Sequence, residues 1–149
     1  MEPDKNPSRP RPHASDRSVI DVSAALIFRD GRLLITRRHP QAHLGGLWEF
    51  PGGKREPDET FEQCLLREIR EELGTEVAVG SRFESITHAY PEKTVQLEFF
   101  VCGLTGGDPQ PLGCSELRWV TRPELLHYDF PAADTRLLEK LAQAPELWD

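Results

Sequence analysis

The sequence predicts an α/β fold, a single domain in which a mixed β-sheet is flanked by helices. Apolar stretches with strand character come before and after one strongly amphipathic helix. A second helical pattern follows near the C-terminus, and a length of 149 residues suits one domain. Strands on both sides of a helix, followed by a terminal helix, are typical of a sheet covered by helices.

The predicted elements begin after a polar segment. Residues 1–17 are Pro-rich and nearly free of large apolar side chains, so we expect a disordered tail before a domain at 18–149. The dipeptide Asp30-Gly31 is typical of a hairpin. We expect a short helix that opens at 121–124 with a capping box and a last helix over about 135–142. The predicted strands are 19–28, 33–36, 75–79, 82–88, 94–104 and 117–120.

The central helix is the clearest prediction. Thr60 is a suitable N-cap, and Gln63 three residues later completes a capping box. Gly74 suits the left-handed position that ends many helices. Apolar residues recur at every fourth position, which predicts one buried face: Leu65, Ile69 and Leu73.

This helix carries an unusual group of acids. At about 100° per residue, Glu68, Glu71 and Glu72 fall within roughly one hundred degrees of each other. Like charges at these spacings repel, which makes sense if a hard divalent cation binds their carboxylate oxygens. The alternative is a solvated acidic face paired with Arg67 and Arg70.

Residues 53–74 resemble the Nudix box, G-x5-E-x7-R-E-U-x-E-E-x-G-U, where U is a bulky aliphatic residue. The box positions are filled by Gly53, Glu59, Arg67, Glu68, Ile69, Glu71, Glu72 and Gly74. Only the last place departs from the pattern, with Thr75 instead of an aliphatic residue. The resemblance spans about 22–141 and implies an α/β/α sandwich with a mixed sheet.

Within the family the chain looks most like the MutT branch, small enzymes that remove oxidised nucleotides from the pool. Four local matches support this: the strand end at 35–38, the loop histidine His43, the run 48–54 and the segment 129–134. By resemblance, the substrate-binding residues are Arg38, His43, Glu49, Phe50, Pro51, Gly52, Lys54 and Asp134.

The resemblance also implies a Mg²⁺ site, with Mn²⁺ as a substitute, held by Glu68, Glu71, Glu72 and the carbonyl of Gly52. The implied catalytic residues are Glu68, Arg67 and Glu71. Glu68 would bind a second metal or take the proton from water, and Arg67 would orient the carboxylates. Glu59 would brace the preceding loop.

Five of the substrate-binding assignments have simpler alternatives. Arg38 could be a solvated charge at a strand end, and His43 a surface histidine. Phe50 could belong to the core, and Lys54 could be an ordinary loop cation. Asp134 precedes a helix and could be its N-cap.

One family feature is absent. MutT-like enzymes often have a glutamate six residues before the tryptophan of the strand at 117–120, and that place is Gly113 here. Glu116 or Glu98 could replace it.

Composition narrows the class of partner. The formal charge is −7 without a basic cluster, which disfavours direct nucleic-acid binding. The three cysteines are scattered, which indicates reduced thiols in a reducing compartment. We find no apolar run of membrane-spanning length and no signal-peptide h-region. We expect a cytoplasmic monomer or weak dimer that binds a small nucleotide.

The predicted activity is metal-dependent hydrolysis of a nucleoside triphosphate to monophosphate and pyrophosphate, with 8-oxo-dGTP as the favoured substrate. A protonated Asp134 could donate to O6 and accept from N7–H of 8-oxoguanine. An ionised Asp134 can only accept, which suits the exocyclic amine of cytosine. The alternatives are therefore a CTP or 5-hydroxy-dCTP pyrophosphohydrolase and, in another class, a non-catalytic nucleotide-binding regulator.

Overall fold

The computed structural model describes residues 18–149. The tail predicted at 1–17 lies outside the described residues. Strands and helices follow one another as β1 (Ser18–Arg29), β2 (Arg32–Arg37), β3 (Trp48–Glu49), β4 (Gly52–Lys54), α1 (Phe61–Leu73), β5 (Val77–Ala89), β6 (Lys93–Leu104), β7 (Glu116–Val120) and α2 (Thr135–Ala142). Three short 3-10 turns lie at Leu125–His127, Ala132–Asp134 and Pro145–Trp148.

The strands form one mixed sheet, as predicted. The order is β3-β2-β1-β6-β5, with β4 paired to β1 and β7 paired to β2. Strand β1 runs parallel to β6 from Ser18 to Ile27 and antiparallel to β2 and β4. Since β4 lies directly beside β1, the glycines that precede α1 are fixed against the centre of the sheet.

Alternate residues of β1 face two separate cores. Ala25 and Ile27 pack with the buried side of α1, and Ala24 and Leu26 pack with α2 on the opposite face. The sheet is therefore covered by a helix on each side, which confirms the α/β/α sandwich. No helix in the described part of the chain is long and apolar enough to cross a membrane.

Helix α1 agrees with its sequence pattern. The Thr60 side chain accepts from the Gln63 N–H at 3.0 Å, and the Gln63 side chain accepts from the Thr60 N–H at 2.9 Å. Gly74 ends the helix in the left-handed region at φ 63°. The three residues of the predicted apolar face, Leu65, Ile69 and Leu73, are fully buried.

The structure departs from the predicted strands after α1. The two strands expected at 75–79 and 82–88 form one strand, β5, whose register shifts between Val79 and Glu84. A bulge adds residues to one strand without ending the pairing, so the break in the pattern does not mark a turn. Thr75 lies outside β5, buried, and its hydroxyl donates to the Gly107 carbonyl at 2.5 Å.

Other departures lie near the C-terminus. The helix expected from 121 is only the 3-10 turn Leu125–His127, although Glu124 accepts from the Thr121 N–H as the capping pattern predicts. Trp119 is half-buried, packs against the core on the α1 side and lies beneath the Arg29 guanidinium at 4.3 Å. Trp148 closes the core beyond α2 and was not predicted.

Candidate active site

Two glycines bring β4 into contact with β1 and α1. A Cβ on Gly52 would lie 1.9 Å from the Ser23 carbonyl oxygen, so no side chain fits there. A Cβ on Gly53 would lie 2.2 Å from the carboxyl carbon of Glu68. The glycine pair thus lets the strand approach the sheet on one side and the acidic face of α1 on the other.

Of the three helix acids, Glu72 has the surroundings that most strongly disfavour an ionised carboxylate. One of its carboxylate oxygens accepts from the Gly52 N–H at 3.1 Å. Burial, together with the nearby charges of Glu49 and Glu68, raises the pKa of Glu72 to about 8. A carboxylate in such surroundings is poorly compensated by the protein and favours an added cation.

Arg67 holds the other carboxylates in place. Its guanidinium donates to both oxygens of Glu59, at 2.6 and 2.9 Å, and to Glu68 at 2.8 Å. It also donates to the Lys54 carbonyl at 2.9 Å, which ties α1 to β4. The hydrogen bonds from Arg67 lower the pKa of Glu59 to about 2. Arg67 therefore links Glu59, Glu68 and the β4 backbone, and the orienting role of Arg67 and the bracing role of Glu59 stay predictions.

A small acidic pocket of about 200 Å³ is lined by Glu68, Glu71, Glu72 and Gly113. Burial raises the pKa of Glu68, whereas the Glu71 side chain is 62% exposed and lies 3.4 Å from Arg67. No three acidic, histidine or cysteine side chains of the described residues are arranged as a finished metal cage.

The acidic pocket nevertheless fits Mg²⁺. This ion keeps several waters and is usually bound by only one or two carboxylates together with substrate phosphates, so a closed protein cage is not required. The hard carboxylate oxygens of Glu68, Glu71 and Glu72 are its preferred ligands. The raised pKa of the buried Glu72 shows the charge imbalance that a cation would relieve.

A larger cleft of about 390 Å³ begins at Glu72 and extends across the other face of the sheet. This volume is within the range of small-molecule sites. Its floor includes Phe50, Leu97 and Phe99, and one side is the segment that carries Pro131 and Asp134. Because Glu72 lines both spaces, the acidic pocket and the cleft join at this residue.

Arg38 and Glu49 form a pair inside the cleft. The Arg38 Nη1 donates to a Glu49 oxygen at 2.9 Å, and Nε donates to the His43 carbonyl at 2.6 Å. Burial raises the pKa of Glu49 despite the neighbouring guanidinium. Arg38 is therefore not the solvated strand-end charge of the simpler interpretation, since it joins the cleft to the loop that carries His43.

Asp134 is buried beside the cleft, and its side chain does not cap helix α2. It is 7% exposed, lines the cleft and makes no capping hydrogen bond to α2. Burial and the charge of Glu49 raise the pKa of Asp134 to about 7, and no hydrogen bond from the described residues offsets them. A carboxyl group in this state has its hydrogen-bonding capacity available for a ligand.

Three neighbours in the run from 48 to 54 have different environments. Phe50 belongs to the core, stacked on Phe130 with ring centroids 5.2 Å apart, yet it also lines the cleft. Lys54 lines the cleft near the acidic pocket. Pro51 is absent from the cleft lining among the described residues, and its carbonyl accepts from the Ala25 N–H at 2.8 Å. The Pro51 carbonyl thus helps to anchor β4, and the assignment of Pro51 to substrate stays a prediction.

Neither proposed replacement for the missing glutamate reaches the site. Glu98 lies 2.8 Å from Arg82 and accepts from Ser85 at 2.6 Å. Glu116 lies 3.2 Å from Arg37. Neither residue lines the cleft or the acidic pocket in the described structure. Strand pairing places both acids away from the helix glutamates.

Sequence reasoning missed part of the cleft wall. Tyr90 and Lys93 lie between the strands predicted at 82–88 and 94–104 and carried no functional prediction, yet both line the cleft. Leu97 and Phe99 alternate along β6 toward the cleft, a signal that the strand pattern contained. The three cysteines are all buried and unpaired, as expected for reduced thiols.

Comparison with known proteins agrees with this geometry. A family model described as "NUDIX domain" matches residues 23–140. The chain is 40% identical over 121 residues to the CTP pyrophosphohydrolase of Escherichia coli K12, covering 81% of this chain and 90% of that protein. It is 34% identical over 123 residues to the 8-oxo-dGTP diphosphatase of the same strain, covering 82% and 95%.

Solved structures agree as well. The solution structure of the E. coli ORF135 protein superposes with a TM-score of 0.75 at 38% identity, covering 90% of this chain and 95% of that chain. The MutT protein of Methanosarcina mazei Go1 gives 0.77 at 27% identity, covering 86% and 96%. The chain belongs to the Nudix hydrolase family. Its relatives and neighbours are small nucleotide hydrolases of the MutT type, and members of this family generally depend on a divalent metal.

Proposed function

We propose that this protein hydrolyses a nucleoside triphosphate to a monophosphate and pyrophosphate in the presence of Mg²⁺, and that oxidised nucleotides such as 8-oxo-dGTP are its substrates. The observation that carries the proposal is the junction at Glu72, where an acidic pocket opens into a cleft large enough for a nucleoside. A triphosphate bound with its base in the cleft would reach the pocket with its phosphates.

The acidic pocket supplies the reaction's electrostatics. Mg²⁺ bound there would neutralise phosphate charge and lower the pKa of a bound water. Glu72 and Glu71 are the proposed ligands together with the Gly52 carbonyl. Glu68, held by Arg67 at 2.8 Å, is the proposed second ligand or proton acceptor for the attacking water. Burial raises the pKa of Glu68, which makes its carboxylate a stronger proton acceptor.

The cleft supplies recognition of the base. Phe50 and Phe99 provide an apolar floor, and Glu49 and Asp134 are the polar groups beside it. Since the pKa of Asp134 is about 7, this group carries a proton for part of the time at neutral pH. A protonated Asp134 offers one donor and one acceptor, which supports the match to O6 and N7–H of 8-oxoguanine.

A second candidate is a CTP or 5-hydroxy-dCTP pyrophosphohydrolase. It is favoured by the 40% identity to a CTP pyrophosphohydrolase. The pair of acids at the cleft supports it too, because ionised Glu49 and Asp134 both accept hydrogen bonds and cytosine donates from its exocyclic amine. The two candidates therefore differ in the protonation state they require of Asp134.

A turnover panel tests these proposals. Initial rates would be measured for 8-oxo-dGTP, dGTP, CTP, 5-hydroxy-dCTP and ADP-ribose, with Mg²⁺, with Mn²⁺ and with chelator. We expect metal-dependent release of pyrophosphate and the highest kcat/KM for 8-oxo-dGTP. The preference for 8-oxo-dGTP over CTP should fall as pH rises through about 7. Nucleotide binding without turnover of any substrate would instead support the regulator.

Three properties remain predictions: the oligomeric state, the lack of direct contact with nucleic acid and the cellular location. The chain is proposed to act as a monomer or weak dimer without direct contact to nucleic acid, because its charge is −7. A cytoplasmic location is proposed from the unpaired cysteines. Light scattering tests the oligomeric state, and a nucleic-acid mobility shift assay tests the lack of direct contact with nucleic acid.

A further inference from the structure

The mouth of the cleft is formed by two parts of the chain that are far apart in sequence. One wall is the loop between β2 and β3, which contributes His43 and Leu44. The opposite wall is the tip of the β5–β6 hairpin, which contributes Tyr90 and Lys93. The loop and the hairpin tip are not neighbours along the chain, but their side chains meet across the mouth of the cleft.

A chain of ring contacts joins these walls. The rings of His43 and Tyr90 meet edge to face, with centroids 6.1 Å apart and planes at 78°. On its other side Tyr90 meets His88, with centroids 4.5 Å apart at 69°. Both distances are within the favourable range for such pairs. We call the first pair, His43 with Tyr90, the mouth contact.

Tyr90 lies directly after the end of β5, at the turn of the β5–β6 hairpin. Its N–H donates to the Lys93 carbonyl at 2.7 Å, which closes the hairpin turn. His88 is paired with Val95 of the neighbouring strand. The ring of Tyr90 therefore packs against His88 of the sheet and also contacts His43 of the opposite wall.

The loop that carries His43 is held in an uncommon conformation. Leu44 has a backbone φ of 57°, which residues other than glycine rarely adopt. Its side chain is partly exposed at the mouth of the cleft. Such a conformation persists only where the surroundings maintain it. Arg38 holds the His43 carbonyl from inside the cleft at 2.6 Å. From outside, the ring of His43 is held by Tyr90.

We propose that Tyr90 is a positioning residue for the nucleotide: the mouth contact keeps the loop against the hairpin tip and retains the nucleoside in the cleft. This inference rests on the proposed function, since it takes the cleft as the nucleoside site. The acidic pocket lies at the other end of the cleft, at Glu72. Loss of the mouth contact therefore weakens nucleotide retention without disturbing the residues that surround the phosphates.

The test compares Tyr90→Ala with Tyr90→Phe and with the control Thr87→Ala. Thr87 is on the same hairpin, but its hydroxyl bonds Gln96 on the face of the sheet away from the cleft, at 2.5 Å. Calorimetry would give the Kd of cytidine monophosphate and of deoxyguanosine monophosphate. Steady-state rates of triphosphate hydrolysis would give KM and kcat. We expect Tyr90→Ala to raise Kd and KM about two- to tenfold with little change in kcat. Tyr90→Phe and Thr87→Ala should resemble wild type.

A double-mutant cycle with His43→Ala isolates the mouth contact. If the contact retains the nucleotide, Tyr90→Ala should have less effect in the His43→Ala background than in wild type. Additive effects, or a loss confined to kcat, would overturn the inference. Should Tyr90→Ala fail to melt cooperatively, Tyr90→Leu takes its place in the same cycle. A wild-type protein that neither binds monophosphates nor hydrolyses triphosphates would overturn the proposed function, whereas binding with additive effects would overturn only the mouth contact.

Discussion

Replacing Asp134 with asparagine removes a buried negative charge while keeping the shape of the side chain. Burial and Glu49 raise the pKa of Asp134 from its ordinary value of 3.8 to about 7, so the folded protein binds the proton more tightly than the unfolded chain. The contribution of protonated Asp134 to the free energy of unfolding is therefore fully present below about pH 4 and is lost as pH rises to about 7. The difference between the two pKa values of Asp134 corresponds to about 4 kcal/mol in the free energy of unfolding, at about 1.36 kcal/mol per pKa unit.

The stabilisation of the protein by Asp134→Asn should depend on pH. By linkage, the ionisation of Asp134 costs about 1.7 kcal/mol at pH 5 and about 4 kcal/mol at pH 8. We therefore expect Asp134→Asn to stabilise the metal-free protein by about 2 to 3 kcal/mol more at pH 8 than at pH 5. Urea unfolding in chelator at the two pH values measures this difference. Asp129→Asn is the control, because Asp129 is exposed on the same segment.

The same variant tests base recognition. Asparagine donates and accepts at once, so kcat/KM for 8-oxo-dGTP should be preserved or improved, and any cytosine activity should fall about tenfold. An equal stability change at both pH values would refute the argument about the buried charge. An unchanged substrate panel with only a lower Tm would mean that Asp134 has a structural role and does not read the base.

Three further substitutions and one deletion test other parts of the site and of the chain. Glu72→Gln should lower turnover about 10²–10⁴-fold, as expected for a lost electrostatic or acid–base contribution. It should leave the metal-free Tm equal or higher, because the buried charge is removed; near-wild-type rates at saturating Mg²⁺ would contradict the metal assignment. Gly53→Ala should lose activity with little loss of Tm, since its Cβ would displace only the flexible end of Glu68. Gly52→Ala should unfold at lower temperature, since its Cβ would meet backbone; equal Tm values for these two glycine variants would be inconsistent with the geometry. Deletion of 1–17 should change neither turnover nor Tm, and a loss of either would place the domain boundary earlier.

Patterns carried by neighbouring residues were readable from the sequence. The capping box of Thr60 and Gln63, the stripe ending at Leu73 and the stop at Gly74 all depend on spacing within a single helix. The same spacing placed Glu68 and Glu72 on one side of that helix, where the structure shows a shared acidic pocket. Local hydrogen bonding and helical geometry are sufficient for such features, so they need no knowledge of the rest of the fold.

Only the tertiary structure decided what lies opposite these residues. It engaged Pro51 in anchoring β4, directed Glu98 to Arg82, and brought Tyr90 across the cleft from His43. It also gave Asp134 a buried position beside Glu49 in place of a helix cap. These outcomes depend on strand register and on desolvation by groups distant in sequence. A one-residue change of register turns a side chain to the other face of a sheet, and a carboxyl pKa follows whatever surrounds it in space, so neither can be obtained from spacing along the chain.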